Sequence, residues 1–134
     1  MSDPQSMGEV RSEPRERTLL LTVDRAAKRN SFTPKMMREL AEALTRLDES
    51  PELWVGVLSF AGPHATAGLD MPLFFAPGAD ARLDPALVDP FGLGRRCRKP
   101  VVVAVQGITY TVGIELLLAA DIAVAADDAR FQGK

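Results

Sequence analysis

Cysteine is nearly missing from this sequence. Cys97 is the only one, so the chain can form neither an internal disulfide framework nor a thiolate metal site. Histidine is as scarce: His64 stands alone, which excludes zinc held by a histidine cluster. Excess charge is also lacking. Lysine and arginine number 16 against 18 acidic residues, a formal net charge of −2, so no global field draws nucleic acid or an anionic membrane. An anionic ligand would need a local basic cluster. No apolar run approaches the ~20 residues that span a bilayer. The N-terminal stretch "MSDPQSMGEVRSEPRERT" lacks the apolar core of a secretory signal. These absences lead to the expectation of a cytoplasmic protein without metal, nucleic-acid partner or membrane partner.

What is present suits one domain. The chain has 134 residues, 46% hydrophobic and 25% charged, the usual balance of a globular protein. Residues 1–17 are polar and of mixed charge, which predicts a mobile tail and leaves 18–134 as the domain. "TLLLTVD" (18–24) fits a strand, and "RAAKRNSF" after it reads as a basic loop. Thr33-Pro34 signals a helix start, a hydroxyl cap followed by a proline in the first turn. Met36, Met37, Leu40, Ala43, Leu44 and Leu47 then recur at helical spacing up to Ser50-Pro51. Arg38, Glu42 and Arg46 follow one another at four-residue spacing on the opposite face.

"WVGVLSF" (54–60) reads as a second strand. The span 61–99, broken by Pro72, Pro77, Pro85 and Pro90, predicts short helical pieces at most. "VVVAV" (101–105) does not alternate, so both faces should be buried, as in a parallel sheet. A short helix over 112–120 and a strand at "IAVAA" complete an alternation of strands and helices, which indicates the α/β class.

The chemistry concentrates in "QGITYTVGIELLLAAD" (106–121). The helix opening near Val112 is apolar on every side except at Glu115, a pattern that predicts burial all round. A carboxylate there must be paired, or desolvation must raise its pKa toward the range useful for proton exchange. Glutamate in a first helical turn can equally serve the dipole and free N–H groups, and periodicity leaves both readings open. The N–H groups of that helix start, lacking intrahelical partners, could face developing negative charge. "HATAGLDM" (64–71) adds a small-residue turn that a ligand could approach closely. For the other reactive side chains the plain readings are a surface loop for His64 and an inert thiol for Cys97, though Arg96 and Arg98 could lower its pKa. Thr109 and Tyr110 either line a pocket or pack in the core.

"KRNSF" before an amphipathic helix, "TAGLD" after a strand, and "KPVVVAVQGITYTVGIELLLAADIAVA" together resemble the enoyl-CoA hydratase/isomerase (crotonase) family. The resemblance runs from about Thr18 to Phe131 and implies a crotonase-like (ClpP/crotonase) spiral of ββα units, of which this chain looks like the N-terminal half, truncated at its C-terminus. It implies an acyl-CoA thioester as substrate, with coenzyme A part of that substrate and no further cofactor. Two backbone N–H groups, Leu69 and Val112, would form an oxyanion hole for an enolate-like intermediate. Glu115 would be the acid and base. Ala27, Lys28 and Arg29 match a loop near the CoA phosphates and adenine, and Ala67 and Asp70 match the adenine and pantetheine path. Asp70 can equally cap a following turn. Addition of water to an enoyl-CoA, or its isomerisation, is the implied reaction, on a homo-oligomer that is a trimer or hexamer in the family.

Two departures stand out. Where the family has three glycines this chain reads Thr111, Val112 and Gly113, and a branched valine would narrow the approach and disfavour positive φ. The hydratases' second glutamate, roughly twenty residues beyond the first in a Phe-x-x-Pro-Glu context, has no counterpart before Lys134. The alternative is therefore a non-catalytic acyl-CoA-binding or assembly fragment. A thioester hydrolase on the same fold is a third reading.

Overall fold

Strand β2 (Thr18–Asp24) alternates half-buried and buried positions, with Leu19, Leu21 and Val23 inside, the period-2 pattern of a sheet covered mainly on one face. In the computed structural model, which describes residues 7–133, β2 belongs to a five-stranded sheet. The order is β1 (Glu9–Arg15), β2, β3 (Val55–Phe60), β4 (Val101–Val105) and β6 (Ile122–Ala125). β2, β3, β4 and β6 run parallel, and β1 joins antiparallel at the edge. A second, two-stranded parallel sheet pairs β5 (Ile108–Tyr110) with β7 (Arg130–Gln132).

β1 corrects the expected tail. Residues 9–15 lie along the whole of β2, from Glu9 opposite Asp24 to Arg15 opposite Thr18. Their sequence, EVRSEPR, is too polar to signal a strand. Its place at the edge explains that composition, since charges and Pro14 are tolerated there. Polar ties hold the segment down: the Val10 N–H donates to Glu39 Oε1 at 3.0 Å, and Lys35 Nζ to the Gly8 carbonyl at 2.7 Å. Residues 1–6 of the expected tail lie outside the described residues.

Helix α1 (Pro34–Glu49) follows the sequence closely. Thr33 Oγ1 accepts from the Met36 N–H, Ser50 ends the helix, and all six apolar positions of the periodic stripe are buried. The ion pair within α1 among the described residues is the half-buried Lys35–Glu39 at 3.2 Å, and Arg38, Glu42 and Arg46 form none with one another. Asp48, near the end of α1, is buried as well and anchors the long loop before β4. The Arg98 N–H and the Arg95 guanidinium each reach its carboxylate at 2.8 Å. That backbone N–H first, then the two guanidiniums, hold the Asp48 carboxyl well below the usual range despite the opposing effect of burial. Within the loop the helical piece is α2 (Met71–Phe74).

Helix α3 (Val112–Ala119) forms where expected but is not buried all round. Val112, Gly113 and Leu116 face the core, whereas Leu118 is 81% exposed and Glu115 is exposed too. β4 is likewise buried only at Val103 and Val105, and every residue of β6 is exposed. One side of the last elements is uncovered by any described residue. Apolarity on all sides thus marks surface that lacks a neighbour here, rather than interior.

Candidate functional site

Three segments meet at the C-terminal ends of the parallel strands, stitched by backbone hydrogen bonds. The turn 64–70 is tied on one side to β5: Ala65 N–H to the Gln106 carbonyl (2.7 Å), Thr66 N–H to Ile108 (3.0 Å), and Tyr110 N–H back to Thr66 (3.0 Å). On its other side it joins the loop 25–32. Ala67 N–H donates to the Arg29 carbonyl (2.9 Å), Phe32 N–H to Gly68 (2.8 Å), and Asp70 N–H to Phe32 (2.8 Å). The structure thus brings together the loop carrying Ala27, Lys28 and Arg29, the turn carrying Ala67, Leu69 and Asp70, and the segment leading to Val112 and Glu115.

Within this junction, two donors stand out. Among the described residues neither the Leu69 N–H nor the Val112 N–H has a hydrogen-bond acceptor. For Val112 the reason is general, since the first N–H groups of a helix lack partners. For Leu69 it follows from the turn, whose flanking N–H groups at Gly68 and Asp70 are both satisfied. Gly68 sits at φ +111°, a conformation that only glycine enters easily. Gly113 allows α3 its close approach: a Cβ there would stand 2.8 Å from Thr109 Cγ2 and 2.9 Å from Thr66 Cγ2.

The glycine departures resolve differently from the expectation. Val112 is not at positive φ. It starts the helix and buries its side chain in the core, 3% exposed, so the branch does not narrow the approach from solvent. The unusual backbone falls on Thr111 instead, at φ 44° and ψ −92°. Such a conformation is strained for a β-branched residue.

The premise for Glu115 changes. Its N–H bonds to the Thr111 carbonyl at 3.0 Å, and the residue is exposed rather than enclosed in an apolar pocket. Ala27, Lys28 and Arg29 are exposed, in and just after a single 3-10 turn at Ala26–Lys28. The Asp70 carboxylate is engaged within the protein. Oδ2 takes Arg25 Nη1 at 2.8 Å, and Oδ1 caps α2 through the Leu73 N–H at 3.3 Å, which fits the capping alternative.

Sequence reasoning missed Arg25, Asn30 and Thr66, all buried and polar. Asn30 joins the segments through its amide, donating to the carbonyls of Ala61 (2.8 Å) and His64 (2.9 Å) and accepting from the Arg25 N–H (2.6 Å). Their only sequence signal was polarity inside a loop, which solvated residues share. His64 has a structural part also, its Nδ1 accepting the Ile108 N–H at 3.0 Å. Cys97 is half-buried, and burial pushes its thiol up, opposite to the lowering its arginine neighbours suggested. A cavity of about 100 Å³ lies between Leu44, Leu58, Val103 and Cys97. Its lining includes Ala119–Asp121, at the end of α3 remote from Val112.

Comparison with known proteins bears on these features. A family model described as enoyl-CoA hydratase/isomerase matches residues 14–134. The chain is 34% identical to the enoyl-CoA hydratase EchA19 of Mycobacterium tuberculosis, over 98% of this chain and 51% of the relative. It superposes with a TM-score of 0.83 on a solved structure from Mycobacterium abscessus described as a probable enoyl-CoA hydratase/isomerase (39% identity, 91% of this chain, 48% of that one). The enoyl-CoA hydratase EchA1 of Mycobacterium marinum matches with a TM-score of 0.80 at 36% identity, covering 92% of this chain and 48% of that one. The chain thus spans about half the length of the relatives it matches.

Proposed function

The chain belongs to the enoyl-CoA hydratase/isomerase family, with the crotonase-like α/β fold, and we propose that its stitched junction binds an acyl-CoA thioester. The Leu69 and Val112 N–H groups would receive the thioester oxygen and stabilise an enolate-like intermediate. The observation that carries this reading is that, among the described residues, both donors lie without an acceptor on adjoining turns. Preorganised N–H groups assist most where negative charge develops, since they need no reorientation during the reaction. Lys28 and Arg29, exposed on the neighbouring loop, would meet the phosphates of coenzyme A.

Hydration or isomerisation of an enoyl-CoA is the reaction we assign, with Glu115 exchanging the proton. A second reading, acyl-CoA binding without turnover, is favoured by one observation: Glu115 is exposed here rather than enclosed. Crotonyl-CoA hydration, followed by loss of the conjugated absorbance, separates the two when run beside a CoA binding assay. Turnover that disappears in Glu115→Gln with binding retained supports catalysis. Binding without turnover supports the second reading, and absence of binding defeats both.

A further inference from the structure

Among the described residues the Leu69 N–H meets no acceptor, yet the peptide unit that carries it is held on its other side. The Gly68 carbonyl and the Leu69 N–H share one planar, trans peptide and point in opposite directions. The Gly68 carbonyl accepts the Phe32 N–H at 2.8 Å. Whatever fixes Phe32 against the turn therefore aims the Leu69 N–H.

That fixing is concentrated in one buried ion pair. Arg25 Nη1 reaches Asp70 Oδ2 at 2.8 Å, and the same nitrogen reaches Ser31 Oγ (2.9 Å) and the Ser31 carbonyl (3.2 Å). The side chains of Arg25 and Asp70 are 6% and 20% exposed. Arg25 thus clamps the residue before Phe32 to the residue after Leu69, while Asp70 N–H bonds the Phe32 carbonyl directly. A buried ion pair of this kind adds little net stability, because desolvation offsets much of the attraction. What it supplies is a fixed arrangement of the groups it joins.

We infer that Arg25 and Asp70 are positioning residues whose buried ion pair, acting through Ser31 and Phe32, sets the direction of the Leu69 N–H toward a thioester oxygen. The inference rests on the acyl-CoA reading above for its ligand, but not for the clamp itself. It also replaces a direct CoA contact for Asp70 with an indirect role.

Two readouts on the intact chain test it. The first is the absorption of a bound arylacryloyl-CoA, which moves to longer wavelength when donors polarise its carbonyl. The second is hydrogen exchange at the Phe32 amide without ligand. In Asp70→Asn we expect most of the red shift to vanish while CoA affinity stays within about threefold. Phe32 exchange should quicken by about tenfold or more, with amides of β2 and β3 unaffected. A full red shift in the variant overturns the inference, whatever the exchange shows. If wild-type protein fails to bind or shift the ligand, the acyl-CoA reading falls, and exchange alone decides on the clamp: unchanged Phe32 exchange overturns it and faster exchange supports it. Should Asp70→Asn not fold, Ser31→Ala, which removes a single contact to Arg25, is read in the same way.

Discussion

Thr66 and Thr109 lie opposite each other in a parallel bridge, and the methyl carbons of both occupy the space that a side chain on Gly113 would need. These two threonines set how near the start of α3 can come to the turn 64–70. The N–H groups of Leu69 and Val112, far apart in sequence, issue from turns held in contact by that packing and by the bonds flanking it.

Gly113→Ala should therefore force the two turns apart. Its Cβ would meet both methyl groups below 3.0 Å, and overpacking of that kind costs about 1–3 kcal/mol. Denaturant unfolding should show this loss, and calorimetry should show weakened acyl-CoA binding.

Thr111→Gly should stabilise the chain. At φ 44° and ψ −92° the threonine backbone is strained, by an amount on the order of 1–3 kcal/mol that outweighs the ~1 kcal/mol entropic cost of glycine. A gain of about 1 kcal/mol in unfolding free energy is expected from denaturant titration.

Asp48→Asn should destabilise, and the effect should depend on pH. The folded-state carboxyl is held down first by the Arg98 N–H and then by Arg95 and Arg98. Folding therefore favours the ionised form. That contribution is complete above about pH 4, the ordinary carboxyl value, and is lost as pH falls from there through the lowered folded value. The gap between wild type and variant, about 1–2 kcal/mol at neutral pH, should stay level from pH 8 to pH 5 and narrow below about pH 4.

The sequence was most legible where one rule acted alone. α1 carries a cap, a first-turn proline and a periodic stripe, and all three agree with the structure. The order β2, α1, β3, β4, α3, β6 was legible for the same reason, whereas β5 and β7, three residues each, were not read as strands. β1 was not, because an edge strand with one short apolar residue, Val10, resembles a tail until its partner is known. Glu115 misled through a sound principle misapplied. An all-apolar helix needs cover, but its cover need not lie within the same 134 residues. The clamp of Arg25, Ser31 and Asp70 was hidden since burial of polar loop residues is a tertiary fact.

The uncovered side of the last elements leads to an association prediction. Leu118, Ile122, Val124 and Phe131 are each more than half exposed, and large exposed apolar side chains promote self-association where they adjoin. Sedimentation of the chain should show concentration-dependent oligomers. Leu118→Lys combined with Ile122→Lys should shift them toward monomer.

Among the described residues the Leu69 and Val112 N–H groups are both without an acceptor, and binding of a thioester oxygen should engage the two together. Titration of isotopically labelled protein with crotonyl-CoA, followed through its amide resonances, reads both at once. The Leu69 and Val112 amides should move downfield together and saturate at one ligand concentration. Binding that shifts only the loop around Lys28 and Arg29, leaving those two amides in place, would contradict the oxyanion-hole reading.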